Sequence, residues 1–540
     1  MDTDDRSKPS GKVSRRQFVA GIGLAGAALL AGGTRSGSEA APLPKKWDME
    51  TDVVVVGFGG AGACAAIEAA KAGSSVVILE KTPVPGGSTA ISGGIVLAAG
   101  TPLQKSAGIN DTAQEMFKYI KACGQGRADD ALIKVVCNMS AENIAWLEGL
   151  GAEFPKDLLA MSGMEDEPEY TRITPAVKRG HRVKGTGGAL FRALHNAVRA
   201  HKNVRIMTNT EGLKLITRPA TTDTNNEVIG IMAKRSGKVT SIRAKKAVVL
   251  ATGGVMSGDA TKGWLQDYSP DVALTVPAGS LTATGDGYRM GMLSGAAMAC
   301  LNTGGFLPSV MFPGHKMGGI VYINIWGLPN IYVREDGTRF CNEGAYYVLV
   351  SEEMFKKEAT TAYCVFDSEA VKKALDMVPK GIEPTRTLAL GVDPRDMEKG
   401  VTGKYVWKGE TIGELARNIG IDAASLEKTL STYNTSAEKG KDAEFGRKKG
   451  LAPLKKPPFY AFKIHVGMVC HDGGLKINTR AQVIDTFGTV IPRLYAAGRD
   501  SVGFFGARYP GSGGAIADLL AFGRIAGKNA AAEPPQTPAR

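Results

Sequence analysis

This 540-residue sequence predicts an α/β fold, on three observations. A β-branched run, Val53 to Val56, stops at Gly57-Phe58-Gly59-Gly60-Ala61-Gly62 and gives way to an alanine-rich stretch. Two further apolar runs end in glycine far downstream, AVVLATGG (Ala247–Gly254) and LYAAGRDSVG (Leu494–Gly503). Between them, about 301–455 mixes short strands such as YINIWG with a charged helical stretch around 352–380, the pattern of an α+β insertion. The whole reads as a Rossmann-like domain carrying an inserted α+β domain.

Each element has its own reason. An all-valine run suits a parallel strand buried on both faces. The helix after it runs to Ala72, Gly73 ends it, and a second strand, Ser75 to Leu79, leads into Glu80 and Lys81. Gly57 permits the tight turn, Gly59 lets backbone approach a pyrophosphate, and Gly62 lets helix pack on strand. Gly60 and Ala61 open a helix whose N-terminus attracts phosphate. Glu80 stands where a carboxylate takes ribose hydroxyls. With strand, turn, helix and acid in register, this is the full dinucleotide fingerprint.

The next stretch decides which dinucleotide. Pro85-Gly86-Gly87-Ser88-Thr89-Ala90-Ile91-Ser92-Gly93-Gly94 is a second Gly/Ser loop, suited to more pyrophosphate and then a flat ring. That is FAD rather than NAD, with Gly87, Ser88, Thr89, Ser92, Gly93 and Gly94 along it. Ala251, Thr252 and Gly253 end the next strand, and Asp286 opens an amphipathic helix within Thr284–Ala299. Near the C-terminus, Gly498 and Arg499 precede a glycine-rich loop whose helix begins at Gly514, Ala515 and Ile516.

Composition narrows the function. There are 69 glycines, clustered in loops rather than periodic, which suggests backbone pressed against a ligand. The +13 formal charge is dispersed without interleaved aromatics, so nucleic acid is not an expected partner. Seven cysteines show no CxxC or CxxCH spacing, so haem, zinc and cluster ligation are not expected and no metal site is assigned. The first residues form their own unit. Ser14-Arg15-Arg16-Gln17-Phe18-Val19, then a short apolar run and small residues to Ala41, resemble a twin-arginine export signal. That resemblance implies export in the folded state with cofactor already bound, a periplasmic or otherwise extracytoplasmic location, and no stable membrane insertion after signal removal. The expected division is 1–41 signal, 42–300 first FAD part, 301–455 cap, and 456–540 second FAD part.

The order of these motifs resembles the flavoprotein subunits of fumarate reductases and succinate dehydrogenases. The loop GGSTAISGG lacks the histidine that bonds flavin in covalent members, so the resemblance implies non-covalent FAD. Fumarate reductases carry a proton-donating arginine four residues after the Glu of an R-F-x-N-E motif. Arg339-Phe340-Cys341-Asn342-Glu343 reproduces the motif, but the fourth residue on is Tyr347. The cap histidine has no counterpart in LNTGGFLPSVMFPG, and in VCHDGG Cys470 takes the later histidine's slot, with His471 displaced by one.

The last loop, GARYPGSGG, is similar instead to 3-ketosteroid dehydrogenases, which carry Tyr-Pro-Gly-x-Gly there. That resemblance implies that Tyr509 and the Gly513 N–H hold a ketone oxygen. It also implies that Tyr347, or Tyr346 as in relatives acting at the neighbouring ring position, carries a proton. Phe306, Met311, Phe312, Ile325 and Trp326 are candidates for an apolar pocket. The expected activity is a redox step across a C–C bond conjugated to a carbonyl, on a ketosteroid-like enone. A cytochrome, quinone or small flavoprotein exchanges the electrons. The alternative is a fumarate-reductase-like reductase of an unsaturated acid of urocanate or aryl acrylate type, with Arg508 and His471 meeting the carboxylate.

Overall fold

The computed structural model describes residues 43–44, 46–218, 226–257, 263–311, 316, 319–320, 327–356, 360–377, 395 and 397–536. The chain divides into two units, Met1–Lys45 and Lys46–Arg540, and the second carries everything below. The expected export signal and most of YINIWG lie outside the described residues. Among the described residues no helix is long and apolar enough to cross a membrane.

Strand β1 (Met49–Val56), helix α1 (Gly60–Lys71) and strand β2 (Val76–Leu79) follow one another as the fingerprint requires. Helix α2 (Gly87–Ile91) comes next; past a mainly helical stretch that includes the helices Asp130–Gly149 and Thr186–Ala200 lie β3 (Val204–Met207), β4 (Thr210–Arg218), β5 (Glu227–Arg235) and β6 (Lys238–Leu250). After helix α3 (Asp286–Leu293) come β7 (Gly304–Val310), β8 (Ile331–Val333), helix α4 (Tyr347–Phe355), β9 (Thr361–Asp367) and β10 (Phe459–His471). The chain ends through β11 (Gln482–Ile484), β12 (Val490–Ala496) and helix α5 (Gly514–Ala532).

The first sheet runs β11-β12-β6-β1-β2-β3, parallel from β12 to β3, with β4 and β5 extending antiparallel from β6. Its register brings the carboxyl ends of four strands level: Val56 pairs with both Leu79 and Leu250, and Leu250 with Ala496. Ligands of open parallel sheets bind beyond those ends, where the glycine turns leave.

Helices α1 and α5 pack at backbone distance. A Cβ on Gly523 would lie 2.8 Å from the Ala61 carbonyl oxygen, and one on Gly527 would run into that of Ala65. Glycine here is a packing requirement, and it sets α5 against the helix that opens the fingerprint.

The second sheet centres on β10, flanked by β7 and β9, with β8 beyond β9. Strand β10 lies past the expected 455/456 boundary yet pairs with strands from within 301–455, from Gly304↔His471 to Asp367↔Phe459. One expectation is corrected. The charged stretch around 352–380 is not continuously helical: α4 ends at Phe355, β9 follows, and a helix resumes at Ser368–Met377. Lysines and glutamates on both flanks hid a buried strand, TAYCVFD, whose aromatic and apolar residues suit a central pleat.

Replacing Gly527 by Val is expected to cost about 1–3 kcal/mol or more through overpacking. Gly149→Ala, at a helix end with open space, is expected to be neutral or to stabilise by up to about 1 kcal/mol. Thermal unfolding of both variants checks the contrast.

Candidate active site

The nucleotide cradle shows two kinds of glycine. A Cβ at Gly57 (φ +102°) would run into the Ala251 carbonyl, and one at Gly62 into that of Gly57. At Gly59 the nearest atom would be the Gly86 oxygen, 3.8 Å away. Protein packing therefore demands Gly57 and Gly62, whereas Gly59 keeps room open between the two glycine loops. Helix α1 has no side-chain cap at Gly59, and the Gly60 N–H donates to the Thr89 hydroxyl at 3.1 Å, docking α2 over the turn. Glu80 braces the turn from behind: one oxygen accepts the Phe58 N–H at 2.9 Å, the other the Thr82 N–H and hydroxyl at 2.9 and 2.7 Å.

Other expected cofactor residues join this floor. Ser92 holds its loop, taking the Gly94 N–H at 3.2 Å and giving its hydroxyl proton to the Thr89 carbonyl at 2.8 Å. Lys81 pairs with Asp286 at 2.8 Å and with Thr284 at 2.7 Å, tying the end of β2 to α3. Asp500, which sequence reading missed, is fully buried. It takes the Thr252 N–H, the Thr252 hydroxyl at 2.9 Å and the Gly254 N–H at 3.1 Å, and burial pushes its carboxyl up to about 6.

Arg499 spends its guanidinium inside the protein, on Asp472 at 2.8 Å and Asp518 at 3.0 Å, with its Cζ 3.9 Å from the Phe505 ring centre. Arg499 Nε and one oxygen of Asp472 are buried without a partner among the described residues. An orphan donor beside an orphan acceptor fits a hydroxylated chain such as the ribityl of FAD. With the open Gly59 turn and the uncapped α1, the residues present fit this cofactor.

The candidate phenols meet at one helix start and one loop. Tyr346 and Tyr347 stand at the start of α4, half-buried, ring centres 4.0 Å apart and inclined at 37°. The Tyr346 hydroxyl gives its proton to the Ser162 carbonyl at 2.9 Å and accepts the Ser512 N–H at 2.9 Å, with the Ser512 hydroxyl at 3.3 Å. Its own N–H goes to Glu167 at 3.3 Å. Burial pushes the Tyr347 phenol up, and hydrogen bonding with the side chains of Tyr346 and Ser512 pulls against that rise. Tyr509 is buried, stacked on Phe505 at 5.4 Å, and its oxygen accepts the Ala515 N–H at 3.2 Å. Burial, then Cys470 and Tyr347, hold the Tyr509 phenol well above its usual range. Gly513 caps α5 at φ +104°, wedged where a Cβ would lie 2.7 Å from the Leu97 nitrogen.

The charged candidates are placed differently. Arg508 forks onto Glu352 at 2.7 and 2.9 Å and reaches Glu169 at 2.9 Å and the Tyr170 hydroxyl at 3.1 Å. His471 is buried, with Nε2–H donating to the Leu301 carbonyl at 2.7 Å and Nδ1 facing the Tyr288 hydroxyl at 3.2 Å. Cys470 gives its thiol proton to Asp472 at 3.1 Å. A Cβ on Gly305 would lie 2.7 Å from the Cys470 sulfur and 3.6 Å from Tyr509 Cγ, so both flank that glycine.

The R-F-x-N-E motif forms a buried ion cluster. Arg339 is bidentate to Glu343 at 2.9 and 2.8 Å and meets Asp442 at 3.0 Å, while Arg447 adds 3.2 Å to Glu343. Breaking such a cluster costs about 3–5 kcal/mol. It anchors the segment that leads into α4. Of the apolar candidates, Phe306 packs edge-on to Phe355 at 5.2 Å and Met311 is half-buried; Phe312, Ile325 and Trp326 lie outside the described residues.

Comparison with known proteins gives the family and the fold. The FAD binding domain family matches residues 52–516. A probable fumarate reductase of Shewanella frigidimarina is 31% identical over 481 residues, covering 89% of this chain and 75% of that protein. The 3-ketosteroid Δ1-dehydrogenase from Sterolibacterium denitrificans, solved with 1,4-androstadiene-3,17-dione, has a TM-score of 0.74 at 25% identity, over 89% of this chain and 99% of that one. The 3-ketosteroid-Δ4-(5α)-dehydrogenase from Rhodococcus jostii RHA1, solved with 4-androstene-3,17-dione, has a TM-score of 0.71 at 28% identity, over 91% and 99%.

Burial pushes His471 down to about 4, so it stays neutral in the fold. As pH falls from 6.5, the unfolded chain takes up this proton first, and stability is lost until the folded-state value is reached. Relative to His471→Gln, the wild type is expected to lose roughly 3 kcal/mol between pH 7 and pH 4. Denaturant unfolding of both across that range checks it; a pH-independent difference contradicts it.

Proposed function

The chain belongs to the FAD binding domain family, and on that premise we propose that it adds or removes two hydrogens across a C–C bond conjugated to the carbonyl of a bulky, ketosteroid-like substrate. FAD, held without a covalent bond in this reading, supplies the hydride acceptor or donor when bound. The Tyr509 oxygen is already engaged by the Ala515 N–H, so its own proton is available to a substrate carbonyl. With the Gly513 N–H beside it, this donor stabilises the charge that develops on the ketone oxygen as the α-proton leaves. Tyr346 spends its proton on Ser162, which makes it a brace, and leaves Tyr347 to carry the α-proton. Removing a saturated pair then sends the β-hydride to the acceptor and the α-proton to the Tyr347 oxygen. As it arrives, that phenol passes its own proton on through the Ser512 side chain, so Tyr347 stays neutral; reduction is the reverse.

The observation that carries this reading is the pairing of Arg508. A reader of carboxylates needs an arginine facing its ligand, and this one is already committed to Glu352 and Glu169. Neutral phenols accommodate an apolar ketone without burying unpaired charge. The second reading, reduction of an unsaturated acid, is favoured by the identity shared with the fumarate reductase relative. We propose further that residues 301–455 act as a cap over the flavin, and that the chain is exported folded by the twin-arginine route and meets a separate cytochrome, quinone or small flavoprotein outside the cytoplasm.

Dye-coupled turnover of 3-ketosteroids, aryl enones, fumarate and urocanate tests the proposal; activity confined to the acids overturns it. On a ketone substrate, Tyr347→Phe is expected to lower kcat by about 10²–10⁴. Tyr509→Phe is expected to lower it by about 10²–10³, while Tyr346→Phe has the smallest effect of the three.

A further inference from the structure

We propose that Arg508 is a positioning residue that sets the spacing of the three tyrosines, rather than a ligand of the substrate. The inference rests on the reading above for the identity of the site. Arg508 immediately precedes Tyr509, and its loop is pinned by backbone: Arg508 N–H to the Cys123 carbonyl and Ala507 N–H to that of Gly124, both at 3.1 Å. From this fixed base the guanidinium reaches two other segments. Nε and Nη2 meet both oxygens of Glu352, on the helix that opens with Tyr347. Nη1 meets Glu169 and Tyr170, which end the segment whose Ser162 carbonyl and Glu167 carboxylate hold the hydroxyl and amide of Tyr346. One side chain thus joins the bearer of Tyr509, the bearer of Tyr346 and Tyr347, and the strap between them.

Fork chemistry makes the link directional. Two parallel N–H···O bonds fix angle as well as distance, so α4 can neither slide nor roll against the loop without losing one of them. Glu352 lies five residues beyond Tyr347, about 7.5 Å along the helix axis, so a tilt at Glu352 is transmitted to the phenol. Misplacement of a reacting group by about 1 Å is enough to cost two orders of magnitude in rate. Four of the five guanidinium N–H groups are engaged by these partners, so a substrate carboxylate finds no free fork.

Arg508→Met, Glu352→Gln and the double variant, assayed on a 3-ketosteroid and on fumarate, test this. A positioning role predicts that each single change lowers kcat by about tenfold or more with KM shifted less than about threefold, and that the double variant is no worse than the worse single. Arg508→Lys, which keeps charge and stem but not the fork, is expected to fall between wild type and Met, and it replaces the Met variant if that one fails to fold. A large KM increase in Arg508→Met with Glu352→Gln unaffected overturns the proposal, as do unchanged kinetics in both. Which substrate turns over judges the functional reading; agreement between the Arg508 and Glu352 variants judges this one.

Discussion

One phenol oxygen ties together three segments on which the candidate site is built. Tyr346 gives its proton to the Ser162 carbonyl and receives the Ser512 amide, and that amide also points at the Ser162 carbonyl, 2.6 Å away. Three segments distant in sequence meet on these atoms: the start of α4, the strap at Ser162, and the loop that leads into α5. The amide and the carbonyl already pair with each other, and a hydroxyl that both donates and accepts adds a second bond to each of them. The ring of the neighbouring Tyr347 lies 4.0 Å from that of Tyr346, centre to centre, so the brace on one phenol also positions the other.

Beneath this clasp lies a scaffold set by close approach. Gly523 and Gly527 let α5 lie on α1 at backbone distance, and both helices begin at a glycine that brings no side chain of its own to the turn. The level carboxyl ends of β1, β2, β6 and β12 place the glycine turns on one edge of the sheet. A flavin reader needs this: amide donors presented by helix starts, and no Cβ where the ligand lies. The buried acids are managed separately. Asp472 and Asp518 share Arg499, and Asp500 closes the turn after β6 through backbone donors.

Local chemistry made much of this readable from sequence. The valine run, the spaced glycines and Glu80 lie within one short stretch and dictate their own geometry, so strand, turn and helix formed where they were expected. The loop YPGSGG pointed to Tyr509 through its likeness to 3-ketosteroid dehydrogenases, and Ser512, the variable position within it, was passed over. What escaped was decided by partners far along the chain. Arg508 meets Glu352 across 156 positions, and Tyr346 meets Ser162 across 184. No periodicity announces such pairs, so an arginine that braces two carboxylates reads in sequence like one awaiting a substrate. Strand β9 was hidden differently, because charge on its flanks imitated a solvated helix.

The central claim is that a phenol rather than a guanidinium moves the proton at the carbon beside the carbonyl. Solvent-deuterium exchange at that carbon reads this step apart from electron transfer. With a saturated 3-ketosteroid bound to oxidised enzyme in D₂O, and no electron acceptor supplied, mass spectrometry follows deuterium entering the α-position. The account predicts exchange in the wild type and its loss in Tyr347→Phe, with folding and flavin content unchanged. Exchange that continues at the wild-type rate without the Tyr347 hydroxyl contradicts it.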